Sequence, residues 1–182
     1  RIVDSKIRKN GNETKNGVKV TTSNIKDYWF KHISYIPQSS MSSLKPVTPI
    51  RKQFLDFLDP ELRTAETIDG IREYVKSLDL PVEAIDAYPH QLSGGMRQRI
   101  MVAMGTFFNP DIILADEPTT ALDVVVQKGI LQLLMEIQAK MNNMIIFVSH
   151  DMGVHYQITH KMLIMYAAKE IEFGNSEDVF EA

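Results

Sequence analysis

YPHQLSGGMRQRIMVAMGTFFNPDIILADEPTTALD, residues 88–123, joins a glycine-rich helix start and an acidic strand end through one helix. The first is Leu92-Ser93-Gly94-Gly95-Met96-Arg97-Gln98-Arg99. Ser93 is a good N-cap residue, and Met96, Ile100, Ala103, Met104 and Phe107 follow at helical spacing. The unpaired N–H groups at the start of that helix, beside two glycines, allow an anion to approach closely. The second element is Ile112-Ile113-Leu114-Ala115-Asp116-Glu117. An apolar strand here delivers two adjacent carboxylates at its C-terminal end, the edge at which open α/β sheets bind ligands. A Ser-Gly-Gly turn or an Asp-Glu pair, taken singly, is an ordinary loop. Their order and close spacing carry the information.

Working outward, the upstream flank alternates extended and helical signals. Ile2 to Ile7 and Val18 to Thr22 read as short strands, with Asn10-Gly11 as a hairpin turn between them, and Asn24 to Lys31 reads as a short helix. HISYIPQ, residues 32–38, is a strand with Ile33, Tyr35 and Ile36 as its apolar positions; Pro37 stops it and Gln38 stands just beyond its end. From Thr48 to Ala87 the pattern is helical. Ile50, Phe54, Phe57 and Leu58 share one face, and Ile68, Ile71, Val75 and Leu78 share another. Asp59-Pro60 and Leu80-Pro81 punctuate the segment, which predicts a small helical insertion between two strands of a sheet.

Downstream, Asn109-Pro110 ends the central helix and Asp111 to Asp116 is extended. Val126, Ile130, Leu133, Leu134, Ile137 and Met141 predict a helix that Asn142-Asn143 ends. Met144 to Val148 (MIIFV) reads as a buried strand, with Ser149-His150-Asp151 at its C-terminal end. A short helix from Asp151 to Thr159, strands at Lys161 to Tyr166 and Lys169 to Phe173, and a helical turn from Ser176 complete the reading. His155 and His160 belong to no motif and read as surface or packing residues.

Composition fits a soluble α/β domain with a sizeable core: 182 residues, 44% hydrophobic, net charge −3. That charge offers no basic surface for nucleic acid. No apolar run is long enough to span a bilayer. Without cysteine, disulfides and thiolate metal sites are excluded.

LSGGMRQR, ILADEP, ALD and VSHD in this order resemble the nucleotide-binding subunit of an ABC transporter. SSMSSLKPV, ALDVVVQKGILQLL and MYAAKEIEFG resemble the branch that energises di- and oligopeptide import. The resemblance implies an α/β, P-loop NTPase-like sheet core formed by residues 1–47 and 88–182, with residues 48–87 as a helical subdomain that docks on membrane-spanning permease subunits. It implies ATP and Mg2+ as cofactors, with Asp116 at the magnesium, Glu117 activating the attacking water and His150 reaching the γ-phosphate. Gln38 matches the glutamine that approaches the magnesium and its water. Ser93, Gly94 and Gly95 match the signature that grips a γ-phosphate held by a second ATPase subunit, and Asp123 matches an aspartate that communicates across the head-to-tail dimer. A cytoplasmic position at the inner face of the membrane, held there by partners, is implied with it. The family often has glycine where this chain has Ala168, which leaves the turn there open.

One element of the family pattern is missing. ATPases of this class hold the β- and γ-phosphates in a loop of the form GxxxxGK followed by Ser or Thr. None of the nine glycines begins one; Gly11 to Gly17 is one residue too long, and Val18 stands where lysine is required. In the family that loop, its magnesium-binding hydroxyl and the aromatic residue that stacks on adenine precede the residue matching Arg1. The expectation is therefore a peptide-importer ATPase represented by a fragment that is inactive alone. Alternatives are an ABC protein that is not a transporter, or a module without its own phosphate loop that completes another subunit's ATP site without hydrolysing ATP.

Overall fold

A computed structural model describes Tyr28, residues 32–38 and residues 40–181 of the chain. The strands expected at Ile2 to Ile7 and Val18 to Thr22, their Asn10-Gly11 turn, and most of the helix at Asn24 to Lys31 lie outside the described residues.

Three strands form a parallel sheet in the order β1-β2-β3: β1 (Ile33–Ile36), β2 (Ile112–Asp116) and β3 (Met144–Val148). Ile33 registers with Ile112 and Ile112 with Met144, so all three strands end at the same rim. Parallel neighbours need long crossovers. The first crossover holds α1 (Ser40–Ser43), α2 (Ile50–Asp56), α3 (Ala65–Ser77) and α4 (Gly94–Thr106), and the second is α5 (Val124–Met141). After β3 come α6 (Met152–Ile158), an antiparallel pair β4 (Lys161–Tyr166) and β5 (Lys169–Asn175), and α7 (Ser176–Glu181). No helix among the described residues is long and apolar enough to cross a membrane.

Polar caps start four of the helices. Thr64 accepts from the Thr67 N–H, Ser93 from Met96, Asp123 from Val125 and Val126, and Asp151 from Val154. Asn142, in the left-handed region at φ 50°, closes α5 where the sequence placed its end.

The core joins Ile36 and Ile113 of the sheet to Ile50 and Phe54 of α2, Ile71 and Val75 of α3, Ile100 and Ala103 of α4, and Ile130 and Leu134 of α5. The helix α4 departs from a simple amphipathic pattern: besides Ile100, Ala103 and Met104, it buries Gln98, Met101, Val102 and Thr106. It packs against β1, α1, α3 and α5, which covers it nearly all round along its second half. Its approach to β1 needs a glycine. A Cβ on Gly105 would stand 2.8 Å from Ile36 Cγ1, and the Ser34 hydroxyl donates to the Gly105 carbonyl.

One expectation needs correction. The strand β3 is not fully buried: Met144, Ile146 and Val148 are exposed, while Ile145 and Phe147 are half-buried. The alternation leaves one face of β3 open among the described residues, where parallel sheets are usually covered on both faces. Of the apolar positions of β1, Ile36 faces the core beside Ser34, and Tyr35 stands on the opposite, half-open side. The turn in question at Ala168 is also resolved. Ala167 and Ala168 both take left-handed backbone, φ 48° and 61°, the conformation of a tight hairpin turn that glycine or asparagine adopts more cheaply.

Candidate functional site

The shared strand rim gathers residues that are far apart in sequence. Gln38 lies just past β1, Asp116 and Glu117 at the end of β2, and His150 just past β3. The Glu117 N–H donates to the Val148 carbonyl at 2.9 Å, which extends the β2–β3 ladder one residue and seats Glu117 at the rim. Its backbone is left-handed, φ 43°. That conformation is uncommon for a side-chain-bearing residue and recurs at functional sites.

Three side chains hold the Glu117 carboxylate. Gln38 Nε2 donates to Oε2 at 2.8 Å, the Thr120 hydroxyl donates to the same oxygen at 2.8 Å, and His150 Nδ1 lies 2.9 Å from Oε1. The bond to His150, then that to Thr120, holds the Glu117 carboxyl below the usual glutamate range. Glu117 in turn pushes His150 above its ordinary value, first through that hydrogen bond and then through its charge. The two are unequally exposed, His150 at 78% and Glu117 at 22%, so the histidine has room to swing while the glutamate stays seated.

Asp116 sits beside this cluster with a different partner. The Tyr35 hydroxyl donates to Asp116 Oδ2 at 2.9 Å, and giving up that bond on ionisation pushes the Tyr35 phenol up. Thus Gln38, Asp116 and Glu117, expected at the magnesium and the water, and His150, expected at the γ-phosphate, lie together at one rim. No group of three or more His, Cys, Asp or Glu that could hold a metal exists among the described residues. A lone carboxylate at a strand end suits magnesium nonetheless, because that ion takes one or two carboxylates and fills its octahedron with water and phosphate oxygens.

The signature residues stand apart from the cluster. Ser93 caps α4, and a Cβ on Gly95 would lie 3.0 Å from Val126 Cγ1, so the tip of α4 rests over the first turn of α5. Gly105, at the other end of α4, is the residue that touches Ile36. At 1.5 Å per residue, Gly94 lies about 16 Å along the helix from that contact. Asp123 lies at the start of α5, where its carboxylate accepts from two backbone N–H groups at 3.1 and 3.0 Å.

Sequence reasoning missed three participants. Thr120 and Tyr35 carry hydroxyls that only the folded geometry aims at the carboxylates; the period-2 placement of Tyr35 beside Ser34 and Ile36 was the available signal. His155 braces the His150 loop: its Nε2 lies 3.0 Å from the Ser149 carbonyl and its ring meets Phe147 edge-on.

A family model described as ABC transporter matches residues 3–120, more than half of the chain. The chain belongs to the ABC transporter family. Curated members similar to it include the dipeptide transport ATP-binding protein DppD of Lactococcus lactis, 39% identical over 153 residues, which are 81% of this chain and 44% of that protein. The oligopeptide transport ATP-binding protein OppD of Escherichia coli is 40% identical over 154 residues, 82% of this chain and 46% of that protein. The chain thus spans about half the length of these ABC transporter relatives. Among solved structures, the dimeric bacterial ABC transporter cassette MJ0796 superposes with a TM-score of 0.71 at 23% identity, covering 86% of this chain and 68% of that one. The CbiO1 protein of Clostridium perfringens, part of the ABC transporter complex CbiONQ, superposes at 0.67 with 23% identity, over 83% of this chain and 60% of that one. These likenesses establish the ABC cassette fold.

Proposed function

We propose that this chain is part of an ATP-binding subunit that hydrolyses ATP in a head-to-tail dimer and thereby drives import of di- or oligopeptides. The observation that carries the reading is the Glu117 carboxylate, held at the strand rim by Gln38, Thr120 and His150 from three separate segments. ATP hydrolysis needs a group that orients and deprotonates water, a metal that neutralises phosphate charge, and donors on the γ-phosphate. Glu117 is the water-activating base, kept ionised by its donors. Gln38, which donates to Glu117, would stand within reach of the metal and the attacking water. His150 exchanges its bond to Glu117 for one to the γ-phosphate. Asp116 would hold Mg2+, and the ion would supply charge neutralisation at the phosphates.

Ser93, Gly94 and Gly95 grip the nucleotide of a second subunit, and the separation of the α4 tip from the Glu117 rim supports that assignment. A two-fold arrangement then yields two equivalent composite sites, with Asp123 near their junction. The phosphate loop comes from residues outside this sequence. Peptide import is supported by the names of the DppD and OppD relatives, and the permease contact falls to the helical segment 48–87. ATP closes the pair and its hydrolysis releases it, which moves the permease.

The test is Glu117→Gln in a chain that includes a phosphate loop. Turnover should fall at least about a hundredfold, on the scale of removing a general base, while ATP binding persists and the dimer accumulates on a sizing column. Turnover at the wild-type rate would remove Glu117 from its role.

A further inference from the structure

We infer that Tyr35 is a positioning residue for the metal-binding carboxylate Asp116. The inference rests on the reading of Asp116 as the magnesium ligand and adds a residue that no motif of this chain contains.

The geometry is specific. Tyr35 of β1 registers with Leu114 of β2, so Asp116 lies two residues further on and on the same face of the sheet. This diagonal separation is within reach of an aromatic side chain and too long for a small one. The phenol spans it and donates to Oδ2 at 2.9 Å. Three residues along the same strand exit, Gln38 donates to Glu117 at 2.8 Å. One strand therefore supplies one donor to each of two adjacent carboxylates. Tyr35 is 43% exposed, while Ser34 and Ile36 on its other side are buried against α4. Among the described residues, the hydroxyl's one hydrogen-bond partner is Asp116.

The consequence is chemical. With Oδ2 engaged by Tyr35, Asp116 presents Oδ1 in a fixed orientation, and no hydrogen bond to Oδ1 is seen among the described residues. A ligand carboxylate that is not locked loses rotamer freedom each time it binds a cation. Hydrogen-bonding partners behind metal ligands remove that cost, and their loss typically weakens metal affinity by about 10- to 100-fold. Tyr35→Phe deletes only the hydroxyl and leaves the ring on the half-open face.

The experiment uses the full natural chain carrying this sequence, loaded with ATP and held from turnover by Glu117→Gln, with Mn2+ as probe and its binding read by electron paramagnetic resonance. Tyr35→Phe should weaken Mn2+ binding by about tenfold and leave ATP affinity in the absence of metal unchanged. Asp116→Asn serves as the reference and should abolish the protein-dependent signal. If Asp116→Asn abolishes it while Tyr35→Phe binds Mn2+ as tightly as its parent, the positioning role is overturned and the function stands. If Asp116→Asn itself binds Mn2+ normally, the metal assignment fails and this inference fails with it. An equal loss of metal-free ATP affinity in Tyr35→Phe would show a general structural defect and also overturn the role.

Discussion

At the scale of the residue, Glu117 and His150 form the pair on which proton inventory depends. His150 is held above its ordinary value, so its share of the coupling is full below about pH 6.5 and is lost as pH rises through the raised value. Glu117 is held below its ordinary value, so its share is full above about pH 4.3 and is lost as pH falls through the depressed value. The pair is therefore strongest in mildly acidic solution and opens first on the alkaline side. In metal- and nucleotide-free protein, an NMR titration of the His150 ring should give a midpoint above that of the same histidine in Glu117→Gln. Coincident midpoints would show that the two side chains do not pair in solution. Thr120 and Tyr35 show what sequence reading lacked at this scale. A hydroxyl has no periodicity, and its target is known only once strands from distant segments are in register.

At the scale of the element, α4 couples the signature tip to the sheet, and the contact that fixes it is Gly105 on Ile36. An added methyl at 2.8 Å from Ile36 Cγ1 has no room, because Ile36 is itself fully buried. Gly105→Ala should therefore lower unfolding stability by about 1–3 kcal/mol, the range for overpacked cores, despite alanine's better helix propensity. Urea denaturation measures it, and trimming Ile36 to Ala in the same chain should make the two losses less than additive. Helix starts and ends were legible because they are local: Ser93 and Asn142 act where their chemistry placed them. The face of α5 was legible for the same reason, with Ile130, Leu133, Leu134 and Ile137 buried as their spacing requires. The all-round burial of α4 and the open face of β3 were not, since each depends on which neighbours the element acquires. An apolar run such as MIIFV gives the propensity to be covered and carries no record of whether a cover is present.

At the scale of the whole molecule, the question is what this set of elements accomplishes without a phosphate loop. On the proposed reading the strand rim provides a base, a metal carboxylate and a histidine, which act only on a γ-phosphate that something else holds in line. The rim offers Glu117 and Asp116 as its central groups, and two carboxylates repel a triphosphate unless a lysine and backbone N–H donors outweigh them. The start of α4 has backbone N–H donors and rests over α5, and on the proposed reading it serves a nucleotide on another subunit. On that reading, two copies of these 182 residues would bring two signatures and two bases together, while the sequence holds no phosphate-loop motif for either phosphate chain. The purified 182-residue polypeptide should accordingly release phosphate from Mg-ATP no faster than its Glu117→Gln variant, measured by a coupled phosphate assay. Attaching a phosphate-loop segment upstream should separate the two, with the Glu117 form faster. Sustained turnover by the unextended chain, sensitive to Glu117→Gln, would mean that some other segment of this sequence already grips the β- and γ-phosphates, and the division of labour between rim and loop would have to be redrawn.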